Sequence, residues 1–443
     1  MANINDAYRK IIAELSEMAS PDPRAKRPSS FPGLIAAGES GSVLTNEAIE
    51  KAISDVAIWL FDQKPALKNR HTRKEWSALV RKAFGPAIVS IDLAATDAAS
   101  SLRSLVEKAL EATPATVESQ LTTIGCTLFY KPIPQPIGIG PVRFEPKEEW
   151  LARAVRIGQI SEQSKQRLEA AFRGEDITPA ENDIASILEG SIIDVLGRSQ
   201  LACTVETNGL APELSQKRAI IAARLAQTSI GLLWALPSST LEGFHLSVEP
   251  GYRQIRTIPF RPDAVMAGGS RSVGTPRGPD LSDDEIRDLI EDARNLLDLA
   301  GQMISCWTSA DAYDQASKSL RRLAQSIFFF WEGCKESDNL MAIVKFTAAL
   351  EALAQAKSSG ILSLIEARLS RKKDDKLIGS QTAKEFVDLI YSKGRSRTLH
   401  GTNEELLHDW SSTRTGAESL TRHCLVQCMG AYLSDPQITD FKK

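Results

Sequence analysis

Apolar residues recur at helical spacing through most of this chain, and the places where that spacing breaks divide it into regions. Segments 46–61 and 72–84 read as helices, with Ile53, Val56, Ile58, Trp59, Leu60, Trp76, Leu79 and Val80 as core candidates. Weaker helical patterns cover 5–18 and 97–112, and prolines 21, 23, 28 and 32 open a gap after the first of them. Near Pro114 the texture changes. Segments 121–130, 139–144, 200–206, 244–249 and 252–260 read as strands, the first of them rich in Thr, Ile, Leu and aromatic residues. Helical stretches at 148–155, 161–172, 179–196 and 211–233 separate them, and prolines 132, 134 and 136 make an extended connector.

Residues 267–279, AGGSRSVGTPRGP, hold four glycines, two prolines and no large apolar residue except Val273. This composition predicts a linker over 266–281. A phosphate loop is the competing reading, but the Gly-Lys-Ser/Thr ending is missing. Beyond it the patterns are all helical. Ser282 and Glu285 have capping-box spacing. A stripe of Ile286, Leu289, Ile290, Ala293, Leu296, Leu297, Ala300 and Ile304 follows. Further helices are expected over 310–331, 339–356, 361–369, from Thr382 to a stop at Gly394, and 415–433. Six such helices make a bundle. The expected fold is mainly α: an α+β region over 1–265, with a possible split near 114, then the linker, then a helical bundle over 282–443. The stripe Ile286–Ile304 and the run Phe328-Phe329-Phe330-Trp331 exceed what one bundle should bury, which predicts a homodimer.

Composition narrows the function classes. The chain has 443 residues, enough for two or three domains, and its formal net charge is −3. No global basic field advertises nucleic acid, so any such binding needs a local patch. The six cysteines have no zinc-ribbon or redox spacing, which predicts reduced thiols and a cytoplasmic protein. No signal-peptide core and no apolar run near the roughly 20 residues of a membrane span is present, so no membrane partner is expected.

The candidate chemistry lies in Gly394-Arg395-Ser396-Arg397-Thr398-Leu399-His400-Gly401. Of five histidines, His400 alone has an arginine five to seven positions before it. Imidazole moves a proton near neutral pH, and guanidinium clamps phosphate through paired donors. On a regular helix, positions five apart lie about 140° apart around the axis. With Gly394 expected to end a helix, the motif is read as spanning a turn that lets Arg395 and His400 converge on one groove. Glu351, mid-helix among alanines and leucines, is read either as a surface carboxylate or as a buried partner of Arg395. Arg368, Arg371, Lys372, Lys373 and Lys376 form a basic run leading toward Lys393, Arg395 and Arg397. Cys424 and Cys428, four apart beside His423, fit core packing better than a metal site, because no fourth ligand is evident.

Residues 395–401, the segment Ala349-Leu350-Glu351-Ala352-Leu353 upstream, and an all-helical order with a long final helix resemble the HEPN superfamily, in its Apea-like branch. Ser396 stands where Asn, Asp or His is commoner in HEPN proteins. The resemblance covers little more than a third of the chain. It implies an endoribonuclease that needs neither metal nor cofactor, usually an obligate dimer with a composite site, often in anti-phage defence or toxin systems. On that reading Arg395 and His400 are catalytic and Ser396, Arg397 and Glu351 support them. Lys372, Lys373 and Lys393 guide the RNA, and residues 1–265 sense a phage or cellular trigger. Other members of the superfamily are inactive modules for dimerisation, nucleotide binding or partner binding.

Overall fold

A computed structural model describes residues 4–19, 33–112, 119–175, 183–249, 260–261, 264–265, 277–405 and 407–443. The chain divides into two compact units, one of residues 1–120 with 207–217, the other of residues 121–206 with 218–443. The first boundary lies close to the expected split near 114. The α+β segment that follows belongs with the C-terminal helices, not with the N-terminal ones as the sequence suggested. The expected linker lies outside the described residues up to 276, as does all but Phe260 of the strand expected at 252–260.

The first unit packs helices Ile4–Ala19, Glu47–Gln63, Arg73–Val89 and Ala98–Ala112 around Tyr8, Ile11, Ile49, Val56, Val80, Phe84 and Leu102. Two of these helices start where the sequence marks a cap. Asn46 accepts the Ile49 N–H, and Thr72 and Glu75 form a reciprocal capping box. A hairpin of Gly33–Ala36 and Ser42–Thr45 was not expected. Strands of four residues are too short for alternation to stand out.

In the second unit a five-stranded sheet runs in the order Ile137–Ile139, Val142–Pro146, Leu201–Thr207, Gln120–Thr127, His245–Leu246. Its inward residues, among them Ile124, Val142, Phe144, Cys203 and Val205, share one continuous core with Ile304, Phe330, Phe346 and Leu425 of the C-terminal helices. That shared burial is why the segment joins the bundle. The contact is close: a Cβ on Gly301 would stand 2.6 Å from the Gly140 nitrogen. Gly140 turns the hairpin with φ +56 and leaves room for the helix behind it.

The bundle centres on helices Lys318–Lys335, Asn339–Ala354 and Ser411–Ser434, packed against one another. Three expectations are corrected here. The stripe 286–304 is two helices, Asp283–Asp292 and Arg294–Thr308, broken at Ala293. The helix expected at 310–331 is a short turn, Ala310–Gln315, and then Lys318–Lys335, restarted by the Ser317 cap. A hairpin, Lys376–Ile378 with Gln381–Thr382, interrupts the helices. The aromatic run also finds room within its own chain. Phe330 and Trp331 are buried, while Phe328 and Phe329 are half-buried against the same core. Phe328 stacks on Trp307 at 5.3 Å. The run therefore does not by itself demand a partner surface. Among the described residues no helix is long and apolar enough to cross a membrane.

Candidate functional site

Two helices build the site. The first, Asn339–Ala354, is capped by Asp338 and buries Ile343, Phe346, Ala349, Leu350 and Leu353. Glu351 follows Leu350 at the margin of that buried face, with 21% of its side chain exposed. The second begins at a Thr382–Glu385 capping box, at the residue where the sequence starts this helix. It runs as an α-helix over Ala383–Asp388, as a π-helix over Leu389–Ser396, and as a last α-turn over Arg397–Leu399. π-helical stretches are rare and recur at functional sites.

The helix does not stop at Gly394, and this expectation is corrected. Gly394 is buried, and a Cβ there would lie 2.9 Å from Ile343 Cγ2. The glycine allows the two helices to approach; it does not turn the chain. The stop comes at Gly401, whose φ is +67. Its N–H donates to the Thr398 carbonyl at 3.2 Å, and the Thr402 N–H donates to the Arg397 carbonyl at 2.8 Å. These are the paired bonds of a Schellman motif. His400 is thereby the C-cap residue.

Arg395 Nε lies 2.8 Å from Glu351 Oε2. The Nε–H lacks the alignment of a hydrogen bond, so the contact is an ion pair. The guanidinium also sits over the Tyr391 ring, 5.6 Å from its centroid, one turn earlier on the same helix. Burial pushes the Glu351 carboxyl above its ordinary value, opposed first by the Arg395 charge and then by the nearby Tyr391 hydroxyl. Burial, then the Glu351 charge, pushes the Tyr391 phenol up as well. Of the two readings of Glu351, the structure realises the partnered one. Tyr391 is a member that the sequence reading missed; its signal is an aromatic ring four positions before Arg395.

The remaining candidates are more dispersed. His400 is exposed, and among the described residues its imidazole makes no hydrogen bond, ion pair or ring contact. Because the backbone from Ser396 to His400 closes an α-turn (His400 N–H to Ser396 carbonyl, 3.0 Å), the expected turn between Arg395 and His400 is absent. Among the described residues no hydrogen bond, ion pair or ring contact joins Arg395 to His400. Ser396 is half-buried, and Arg397 and Lys393 are exposed on the same helix. Lys372 and Lys373 are exposed ahead of the hairpin; the Lys372 N–H donates to Asp375 Oδ2 at 2.7 Å. Arg368 leaves the basic run to hold the Phe441 carbonyl at 2.7 Å. Cys424 and Cys428 are fully buried, and burial pushes the Cys428 thiol up to about 12. His423 turns to its own helix, with Nδ1 2.7 Å from the Ser419 carbonyl oxygen.

No family model matches this chain, and no curated protein or solved structure is significantly similar to it.

Proposed function

We propose that this chain is a HEPN-type endoribonuclease that cleaves RNA through its ribose 2′-hydroxyl, works as a cytoplasmic homodimer, and serves as a defence or toxin effector. One observation supports this above the others: Glu351 and Arg395, drawn from two motifs far apart in sequence, meet at 2.8 Å. The His400 imidazole takes the proton of the 2′-hydroxyl as general base. The 2′-oxygen bonds to phosphorus as the bond from phosphorus to the 5′-oxygen breaks, and the leaving oxygen is protonated. The products are a cyclic phosphate and a 5′-hydroxyl. Arg395, held by Glu351 and Tyr391, places its donors against the charge that grows on the phosphate oxygens. Ser396 and Arg397 support the motif, and Lys372, Lys373 and Lys393 draw in the RNA backbone. The trigger, phage-derived or cellular, acts on the N-terminal region. No step of this scheme calls for a metal or cofactor.

A second reading is favoured by one fact, the lack of contact between Arg395 and His400 in a single chain. On it, the bundle is a silent module that dimerises or binds a nucleotide or partner. RNA incubated with the purified protein separates the two. Cleavage that persists in EDTA and yields cyclic phosphate ends is expected. Cleavage strictly dependent on added magnesium would sink the mechanism. An inert, well-folded dimer with its trigger supplied would favour the module.

A further inference from the structure

The N-terminal unit carries a cavity of its own, apart from the arginine–histidine motif. It is a cleft of about 360 Å³, open to solvent, between the helices Ile4–Ala19 and Glu47–Gln63. That volume lies at the lower end of the range for small-molecule sites. Helical spacing orders the lining. Ile4 and Ala7, three apart on the first helix, and Ala52 and Val56, four apart on the second, give it an apolar floor, buried except for the half-buried Ala7. Ile58, 38% exposed, and the half-buried Trp59 continue the apolar surface along the second helix.

The charged part of the lining is unbalanced. Three carboxylates, Asp6, Asp55 and Asp62, stand against one ammonium, Lys10. Asp6 pairs with Arg9 at 3.3 Å, and Asp62 with Lys68 at 3.2 Å and Arg73 at 3.8 Å. Asp55 is left over. It is exposed, and among the described residues it makes no hydrogen bond or ion pair, with Lys10 across the cleft or with Lys51 one turn before it. Trp59, one turn after Asp55, rests against the helical core, and among the described residues no cation lies over its ring. A free carboxylate and an unoccupied indole therefore neighbour each other on one wall of an apolar cleft.

An ammonium group is attracted both to a carboxylate and to an indole ring, and an apolar body gains by leaving water. We infer that this cleft binds a small organic amine, a protonated nitrogen carried on an alkyl or aryl body. Asp55 is the counter-ion, Trp59 packs beside the nitrogen, and Ile4, Ala7, Ala52 and Val56 take the apolar part. Asp6 and Asp62 keep the surrounding field negative, which disfavours nucleotides and other phosphates. A docked partner helix fits less well. It needs a continuous apolar stripe, and Asp55 and Asp62, seven apart on one line of their helix, interrupt the stripe here.

Calorimetric titration of the full chain compares phenethylamine with phenethyl alcohol and hydrocinnamate, which keep the aryl body and replace the ammonium by a hydroxyl or a carboxylate. Saturable binding of the amine is expected at or below about 1 mM, roughly tenfold or more tighter than either analogue and weaker at high salt. Asp55→Asn alters an exposed, unpaired side chain, so it should melt like the wild type and bind the amine roughly tenfold more weakly. Trp59→Leu should weaken the amine as well; a melting curve accompanies each variant, and if Trp59→Leu does not fold, Asp55→Asn decides. Asp284→Asn, an exposed carboxylate of the second unit paired with Arg287, should bind as the wild type does. The inference is overturned if the amine does not saturate by about 10 mM, if the alcohol binds as tightly, or if folded Asp55→Asn binds unchanged. Tighter binding of an amphipathic lysine–leucine peptide would also overturn it and assign the cleft to a partner helix. No outcome depends on ribonuclease activity.

Discussion

Replacing Glu351 by glutamine should separate the fold from the chemistry. The substitution keeps the shape of the side chain and removes its charge. Coulomb attraction between unit charges 2.8 Å apart is roughly 6 kcal/mol at an effective dielectric of about 20. Yet the Glu351 carboxyl is held above its ordinary pKa, because burial outweighs both the Arg395 charge and the nearby Tyr391 hydroxyl. Withdrawing the carboxylate from water therefore costs more than the arginine returns, as is common for partly buried pairs. On this balance the ionised pair adds little to the fold, and Glu351→Gln is expected to change the unfolding free energy by less than about 1 kcal/mol. The pH dependence has a definite sign. A carboxyl whose pKa is raised on folding keeps its proton in the folded state over the window where the unfolded chain has lost it. Its contribution to stability then falls as pH rises from about 4.3 through the folded-state pKa, and is absent from the glutamine variant. Activity should respond differently. Arg395 loses the partner that aims it, and misplacing a catalytic group by about 1 Å can cost ~10²-fold in rate. Urea melts between pH 4 and 8, beside cleavage of a fluorescent RNA, read both effects. A stability loss near ~3 kcal/mol would make the pair a structural strut. Unchanged cleavage would remove Glu351 from the mechanism.

Three further outcomes are expected. His400→Ala and Arg395→Ala should each lower cleavage by ~10²–10⁴ with little change in melting, while His408→Ala cleaves like the wild type; activity retained by His400→Ala would end the ribonuclease reading. Gly401→Ala places a Cβ at φ +67, costs about 1 kcal/mol and frays the turn that carries His400, so cleavage should fall by more than the melting shift explains. Gly301→Ala drives a Cβ to 2.6 Å from the Gly140 nitrogen and should destabilise the second unit by ~1–3 kcal/mol, seen as a lower urea midpoint; an unmoved midpoint would mean that the hairpin and the helix are not tightly packed.

Much of the bundle was legible because its signals are local. Ser282 with Glu285 and Thr382 with Glu385 are capping boxes in sequence and in structure. The stripe through Leu297, Ala300 and Ile304 is buried as its spacing requires. What escaped were features fixed by tertiary contact. The breaks at Ala293 and Ser317 leave the apolar spacing almost unchanged, so the pattern reads straight through them. The strands around Phe144 and Cys203 gave a correct secondary-structure signal, but nothing local says which helices they share a core with. The cover that the run from Phe328 to Trp331 finds within the chain was hidden for the same reason, since Trp307 supplies a stacking surface that the sequence leaves unplaced.

The site turned on two glycines whose roles the sequence could not separate. Gly394 and Gly401 both border the arginine–histidine motif, and a glycine serves equally to end a helix or to let another helix come near. Here the first admits Ile343 and the second makes the stop. The exchange has a mechanistic consequence. With the helix continuous to Leu399, Arg395 faces Glu351, and His400 caps the helix in an exposed position. Because Leu389–Ser396 is π-helical, the ideal α-helical angle between positions five apart does not fix how these two side chains face each other. The proposed chemistry can draw Arg395 and His400 from one copy or from two. Mixing Arg395→Ala with His400→Ala protein distinguishes these geometries. Hetero-dimers regain up to about half of wild-type cleavage if each site draws one residue from each copy, and stay inactive if both residues must come from the same chain.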